Sequence, residues 1–192
     1  MKTTHKVQID DIIYEANVDF RNIIKCNQIA EDDTIGDYER VLGIIVTIFG
    51  DKGIDNPQHY GTLFKWAYNY ISMGKEPNDE KPYFDLIEDQ KYIASSFKYD
   101  YNYNPYDMGY LSWVDFYNDL ANLSNSELGD CCILNRVINL RKLDLSKIKD
   151  EKTRDALRKA KKEVALKKYN KPKLTERQKE SVKHFWDALG RS

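Results

Sequence analysis

The chain has 192 residues, of which 32% are charged and 41% apolar, proportions that suit a folded, soluble, helix-rich protein and exclude a disordered one. No apolar run approaches the roughly 20 residues a membrane-spanning helix needs, and three cysteines (Cys26, Cys131, Cys132) at these spacings make no disulfide scaffold and read as reduced and buried. The net charge of −1 hides an asymmetry: residues 1–140 hold 12 Lys and Arg against 23 Asp and Glu, a balance of −11, whereas residues 141–192 hold 18 against 8, a balance of +10.

At the N-terminus, Asp10, Asp11 and Glu15 interrupt any apolar block of the kind a signal peptide carries, so the protein is expected to stay in the cytoplasm. Ile12 to Ala16 reads as a short extended piece. Asp19 is placed to cap a first helix through Phe20, Ile23 and Ile24. Glu31 to Asp33 form a turn. Thr34 is placed to cap a second helix with Ile35, Tyr38, Leu42, Ile45 and Phe49 on its buried face, and Gly50 stands where a helix commonly ends. A loop from Asp51 to Gln58 precedes a third helix with the stripe Tyr60, Leu63, Phe64, Ala67 and Ile71, ending near Gly74.

Lys75 to Pro82 holds two prolines and reads as a linker. A fourth helix is expected to begin at Tyr83 and carry Leu86, Ile87, Ile93, Ala94 and Phe97, with Tyr99 to Met108 as a loop. Leu111, Val114, Tyr117, Leu120 and Ala121 give the next stripe, and Leu128, Cys131, Cys132, Asn135 and Ile138 another. Stripes of this kind need a partner surface, because packing of that face supplies most of a helix's stability. Leu143, Leu145 and Ile148 suggest an irregular stretch. Asp150 then caps a long charged helix through Tyr169, with the thin seam Leu157, Ala160 and Val164 and with Asp155–Lys159 and Glu163–Lys167 as helical ion pairs. Asn170 to Pro172 break it. Thr175 and Gln178 form a capping box before a last amphipathic helix with Val182, Phe185, Trp186 and Leu189 on one face.

The pattern predicts an all-α protein: a compact multi-helix body over residues 1–145, with one short N-terminal β element, and a basic helical arm over residues 146–192 that ends in the amphipathic helix. Chemistry is harder to find. There is no glycine-rich phosphate loop, no Gly-x-Ser-x-Gly and no His-Glu-x-x-His. The histidines His5, His59 and His184 stand singly, without metal-ligand spacing. The carboxylate pairs Asp10–Asp11 and Asp32–Asp33 are sequence neighbours of the kind that serve turns and caps. Neither an enzyme nor a cofactor is expected.

Partner binding is the better expectation. Val182, Phe185, Trp186 and Leu189 are candidate anchors for a groove, on the chain's own body or another molecule. Arg158, Lys161 and Lys162 are candidates for contact with an acidic protein surface. Nucleic acid is the weaker reading, because the lysines at 158–168 surround their helix instead of lining one face with interleaved aromatics.

Several short motifs occur in a telling order: Val18 to Arg21 (VDFR), Tyr60 to Trp66 (YGTLFKW), Tyr92 to Phe97 (YIASSF), Asp107–Met108, Leu111 to Phe116 (LSWVDF) and Arg136 to Arg141 (RVINLR). In this order the chain resembles the gene-product-fifteen family of tailed phages and of prophages in Gram-positive bacteria, over most of residues 14–170. Two features depart from the family: the polar Asn/Tyr loop at 99–106, and Val114 where a second aromatic is common. The resemblance implies a protein encoded between the major tail tube protein and the tape-measure protein. It further implies a tail assembly chaperone that binds the tape measure while the tube polymerises and is absent from the mature virion. The major tail protein is a further partner on this reading, as is the chain itself, whose oppositely charged ends suit head-to-tail association into spirals or filaments. The family defines no catalytic residues. The alternatives are a structural virion component, such as a tail-completion or connector protein, and a small nucleic-acid-binding regulator.

Overall fold

Strands β1 (His5–Ile9) and β2 (Ile12–Ala16) pair antiparallel, from His5 with Ala16 to Ile9 with Ile12, in a computed structural model that describes residues 5–74, 82–124 and 131–168. The extended piece expected at Ile12 to Ala16 is thus half of a hairpin. Asp10 turns it with a left-handed φ of 51°, a conformation that Asp tolerates better than most residues. Seven α-helices follow among the described residues: α1 (Phe20–Ala30), α2 (Asp37–Phe49), α3 (Tyr60–Ser72), α4 (Gln90–Tyr101), α5 (Trp113–Ala121), α6 (Ile133–Lys142) and α7 (Glu151–Glu163).

The chain forms two compact units. The first contains the hairpin, α1 to α3 and residues 110–114; the second contains residues 82–109, 115–124 and 131–168. Helix α5 begins in the first and runs on in the second.

In the first unit α2 packs on α1, α3 and β2. Its buried face is Val41, Ile44, Ile45, Ile48 and Phe49, so Ile45 and Phe49 are core as expected, while Tyr38 is 63% exposed and Leu42 only half-buried. Helix α2 also starts later than Thr34. The Thr34 backbone N–H and hydroxyl both donate to the Asp32 carboxylate, closing a side-chain turn that competes with the helix, and Gly36 becomes the cap residue. Gly50 ends α2 as expected: its φ is 66° and its N–H donates to Val46 O, a conformation costly for any residue with a Cβ.

In the second unit α4 packs on α6, and Phe97 of α4 stacks on Phe116 of α5 with centroids 5.5 Å apart. Helix α4 begins at Gln90, not Tyr83. Asp85 accepts the N–H groups of Ile87 and Glu88, and Asp89 accepts that of Asp85, so residues 83–89 fold into side-chain-capped turns. The helix runs on to Tyr101, into the stretch read as a loop. On α5 the buried residues are Trp113 and Phe116, whereas Val114, Tyr117 and Leu120 are half-buried and Ala121 is exposed. The three cysteines are reduced and buried, as expected.

Asp150 caps α7 by accepting from Thr153 N. The helix stops at Glu163, short of Tyr169, and its ion pair is Asp155–Arg158. Lys167 lies beyond the helix end, so no Glu163–Lys167 pair forms along it. The Lys75–Pro82 linker up to Lys81, Leu128, and everything from Tyr169 onward, including the capping box and the terminal helix, lie outside the described residues.

Candidate functional site

The most elaborate polar assembly lies in the second unit and centres on Arg141, the last residue of the RVINLR motif. Its guanidinium grips Asp89 with two bonds, Nη1 to Oδ2 at 2.6 Å and Nη2 to Oδ1 at 2.7 Å. Nη1 also donates to Tyr83 O (2.9 Å), and Nε donates to Val164 O (2.7 Å). The Arg141 side chain is 8% exposed and that of Asp89 1%, so this planar fork satisfies a buried carboxylate and two carbonyls at once.

Around the pair the segment after α7 is strapped to the capped turn. Glu88 accepts the backbone N–H groups of Lys167 (2.7 Å) and Lys168 (2.6 Å), Lys168 Nζ reaches Asp85, and Leu166 is buried between these anchors. For Asp85, burial works to raise the carboxyl, but the N–H groups of Glu88 and Ile87, with Lys168, outweigh it and hold the carboxyl below its ordinary range. Sequence reading passed over this turn. The signal was Asp85 followed three residues on by Glu88, a cap-and-turn spacing inside what looked like a helical stripe.

A second assembly lies in the first unit and joins two motifs. Phe20 N donates to Leu111 O and Trp113 N to Val18 O, while Trp113 Nε1 donates to Ile71 O. Asp19 caps α1 through Arg21 N, pairs with the Arg21 guanidinium and accepts Leu111 N. Burial again works against its ionisation, and these hydrogen bonds with the Arg21 charge overcome it, leaving the carboxyl below its ordinary range. The VDFR and LSWVDF motifs therefore serve each other as backbone and capping partners.

A third assembly, also in the first unit, is the chain Tyr14–His59–Asp10. Tyr14 OH lies 2.8 Å from His59 Nδ1, and His59 Nε2 lies 3.2 Å from Asp10 Oδ2. The Asp10 carboxylate can only accept, so in a neutral His59 Nε2–H donates to it and Nδ1 accepts from Tyr14 OH, whose oxygen also accepts from Asn56 Nδ2. Tyr14 is wholly buried, which leaves its oxygen no room for a substrate. Burial also pushes the Cys26 thiol up to about 12, keeping it protonated and unreactive.

Among the described residues no three His, Cys, Asp or Glu side chains are grouped to hold a metal ion, and no helix is long and apolar enough to cross a membrane. The three basic candidates lie on α7 but do not form one site. Arg158 is exposed and paired with Asp155, Lys161 donates to Leu143 O at 2.6 Å, and Lys162 is exposed. Val182, Phe185, Trp186 and Leu189 lie outside the described residues.

Motif residues take part in the first two assemblies and not in the histidine chain. The family described as Bacteriophage Gp15 protein matches residues 2–166. The chain belongs to that family. No curated protein and no solved structure matches the chain significantly. The Gp15 match takes in the Arg141–Asp89 pair and the second and third assemblies, and ends just before Lys167 and Lys168 of the strap. As a Gp15 family member the chain is a phage protein.

Proposed function

We propose that this Gp15 protein is a tail assembly chaperone: a non-enzymatic protein that binds the tape-measure protein, and keeps it soluble in the host cytoplasm, while the tail tube assembles around it. What supports the reading is family membership joined to the use of the motif residues. Asp19, Trp113, Phe116 and Arg141 cap, pack and pair inside the units, which leaves activity to surfaces. A tape measure is a long helical chain that needs covering, and amphipathic surfaces presented by many copies answer that need.

Helix α7 contributes such a surface. Leu157, Ala160 and Val164 form its half-buried seam, while Lys152, Arg158, Lys159 and Lys162 face solvent. Glu151, Asp155 and Glu163 interrupt this basic face, which favours a mixed-charge protein partner over a phosphate backbone. Opposite charge on the two parts of the chain also favours head-to-tail association of copies, an open heterologous arrangement. Absence from the mature particle belongs to the same proposal.

The test is co-expression with a tape-measure fragment from the adjacent reading frame, followed by pull-down and sizing. Recovery of the fragment in a soluble stoichiometric complex is the expected result. An insoluble fragment, together with recovery of this protein in purified virions, would make it a structural component instead. A shift of DNA at physiological salt with no complex would make it a regulator.

A further inference from the structure

Helix α7 of the second unit is held chiefly at its C-terminal end. None of its residues is buried, and its seam of Leu157, Ala160 and Val164 is only half-covered where the helix meets α6 and the turn at Leu145–Lys147. From Leu143 to Lys168 the one buried side chain is Leu166, 6% exposed. The anchors cluster around it. Arg141 Nε donates to Val164 O, Glu88 accepts Lys167 N and Lys168 N, and Lys168 Nζ reaches Asp85. Arg141, Glu88 and Asp85 therefore form a seat, and residues 164–168 are the peg that fills it. Seat and peg belong to the same unit. Ahead of α7 the chain is built as a hinge. Residues 144–150 bury no side chain, and their hydrogen bonds are local, from Ser146 and Lys147 to Asp144 and from Ile148 to Leu145. Extended, seven residues reach about 24 Å, enough for α7 to leave its seat while α6 stays in place.

We propose that residues 151–168 are an arm exchanged between copies of this chain, the peg of one copy filling the Arg141–Glu88–Asp85 seat of a second. The seat itself selects this occupant. It offers a donor for one carbonyl, a carboxylate for two successive N–H groups, a second carboxylate for an ammonium, and cover for a leucine between them. An identical segment from another copy makes the same bonds, so exchange loses no contact. Tethering opposes it: a chain's own arm is present at about millimolar effective concentration, so the closed form prevails in dilute solution and exchange prevails where copies are crowded to that level. Each copy has one arm and one seat, so exchange closes on two copies or runs on through many. This gives the self-association in the proposed function a route through packing instead of charge, and it does not require the tape measure.

The experiment mixes two variants of the full chain in about 1 M salt, where a Debye length of about 3 Å screens charge-driven contacts. Glu88→Lys spoils the seat and keeps the arm. Leu166→Asp with Lys168→Ala spoils the arm and keeps the seat. Sedimentation is expected to show each variant alone as a monomer and the equimolar mixture as a one-to-one complex. A third variant, lacking residues 147–149, shortens the hinge and leaves seat and peg intact, which covers loss of fold in the first two. Its arm reaches only a neighbour's seat, and a shift from monomer to dimers or larger species is expected as its concentration rises. A mixture and a hinge variant that both stay monomeric overturn the exchange. Association of the unaltered chain at low salt alongside those results overturns it too, and leaves the charge-driven contact standing, so the two readings fail separately.

Discussion

Replacing Arg141 with Met is the most informative single perturbation of the second unit. The substitution keeps the bulk of the stem but removes four hydrogen bonds: two to Asp89 and one each to Tyr83 O and Val164 O. Asp89 is then left 1% exposed, with Asp85 N–H its remaining partner among the described contacts. Breaking a buried pair from one side costs about 3–5 kcal/mol, because the stranded charge stays buried. With a urea m-value of about 2 kcal/mol/M, the unfolding midpoint falls by about 2 M. The double variant Arg141→Met/Asp89→Leu removes both charges. It is expected to be more stable than the Met variant alone, with a coupling of about 1–3 kcal/mol across the cycle. Far-UV circular dichroism reads both units. Fluorescence of Trp66 and Trp113, measured in a Trp186→Phe background, reads the first. The expected result is an early dichroism transition with little change in fluorescence. A single-variant loss below about 1 kcal/mol, or a double variant whose loss equals the sum of the singles, refutes the clasp as the organising contact of the unit.

Phe116→Ala empties a fully buried site stacked on Phe97 and is expected to lower stability by about 3–5 kcal/mol in urea unfolding, whereas exposed Tyr99→Ala changes it little. Tyr14→Phe removes the donor to His59 Nδ1 and the acceptor for Asn56 while keeping the ring, and a loss of about 1–3 kcal/mol is expected; no loss would show that the buried chain is replaceable by packing. Asp19 and Asp85 have folded carboxyls below the ordinary value near 3.9, so their contribution is complete above that pH and is lost as pH falls through the folded values. Acid titration followed by dichroism is expected to show unfolding setting in below about pH 4, and Asp19→Asn to make stability less dependent on pH there.

Helices with a one-sided apolar rhythm were legible in the sequence, and so were caps whose side chain acts within three residues. Asp19 and Asp150 are of this kind, and Gly50 was legible as a helix end because it lacks a Cβ. What was not legible depended on competition or on distance. The turn at Asp85–Asp89 has apolar spacing good enough for a helix, but two aspartates offer the backbone a nearer set of partners. Thr34 was claimed by Asp32 in the same way. On α2 and α5 the expected stripes drifted by one position, because periodicity gives the angle of a face and not which of two adjacent residues meets the core. The strand His5–Ile9 escaped although Lys6 and Gln8 alternate with Val7 and Ile9, because five residues with one buried side chain give too short a signal until β2 pairs with them.

The candidate site was less legible for a different physical reason. The motif residues Asp19, Trp113, Phe116 and Arg141 are occupied with backbone groups, rings and charges inside the units. Their removal would abolish binding by unfolding the units, and so would say nothing about where a partner sits. A surface that binds must instead hold side chains whose loss the fold tolerates, and the sequence marks these only by what they lack: a place in any core stripe. Ile54 satisfies that condition in the first unit, and Lys152, Lys159 and Lys162 satisfy it on α7, whereas Tyr38 sat in an expected core stripe and only the structure shows it exposed. Substitutions at these positions separate binding from folding, because they perturb the partner's contact and leave the buried groups paired. A tape-measure complex that survives loss of the exposed lysines on α7 but not substitution of the exposed Tyr38 and Ile54 would place the client on the first unit. The reverse result would place it on the basic helix.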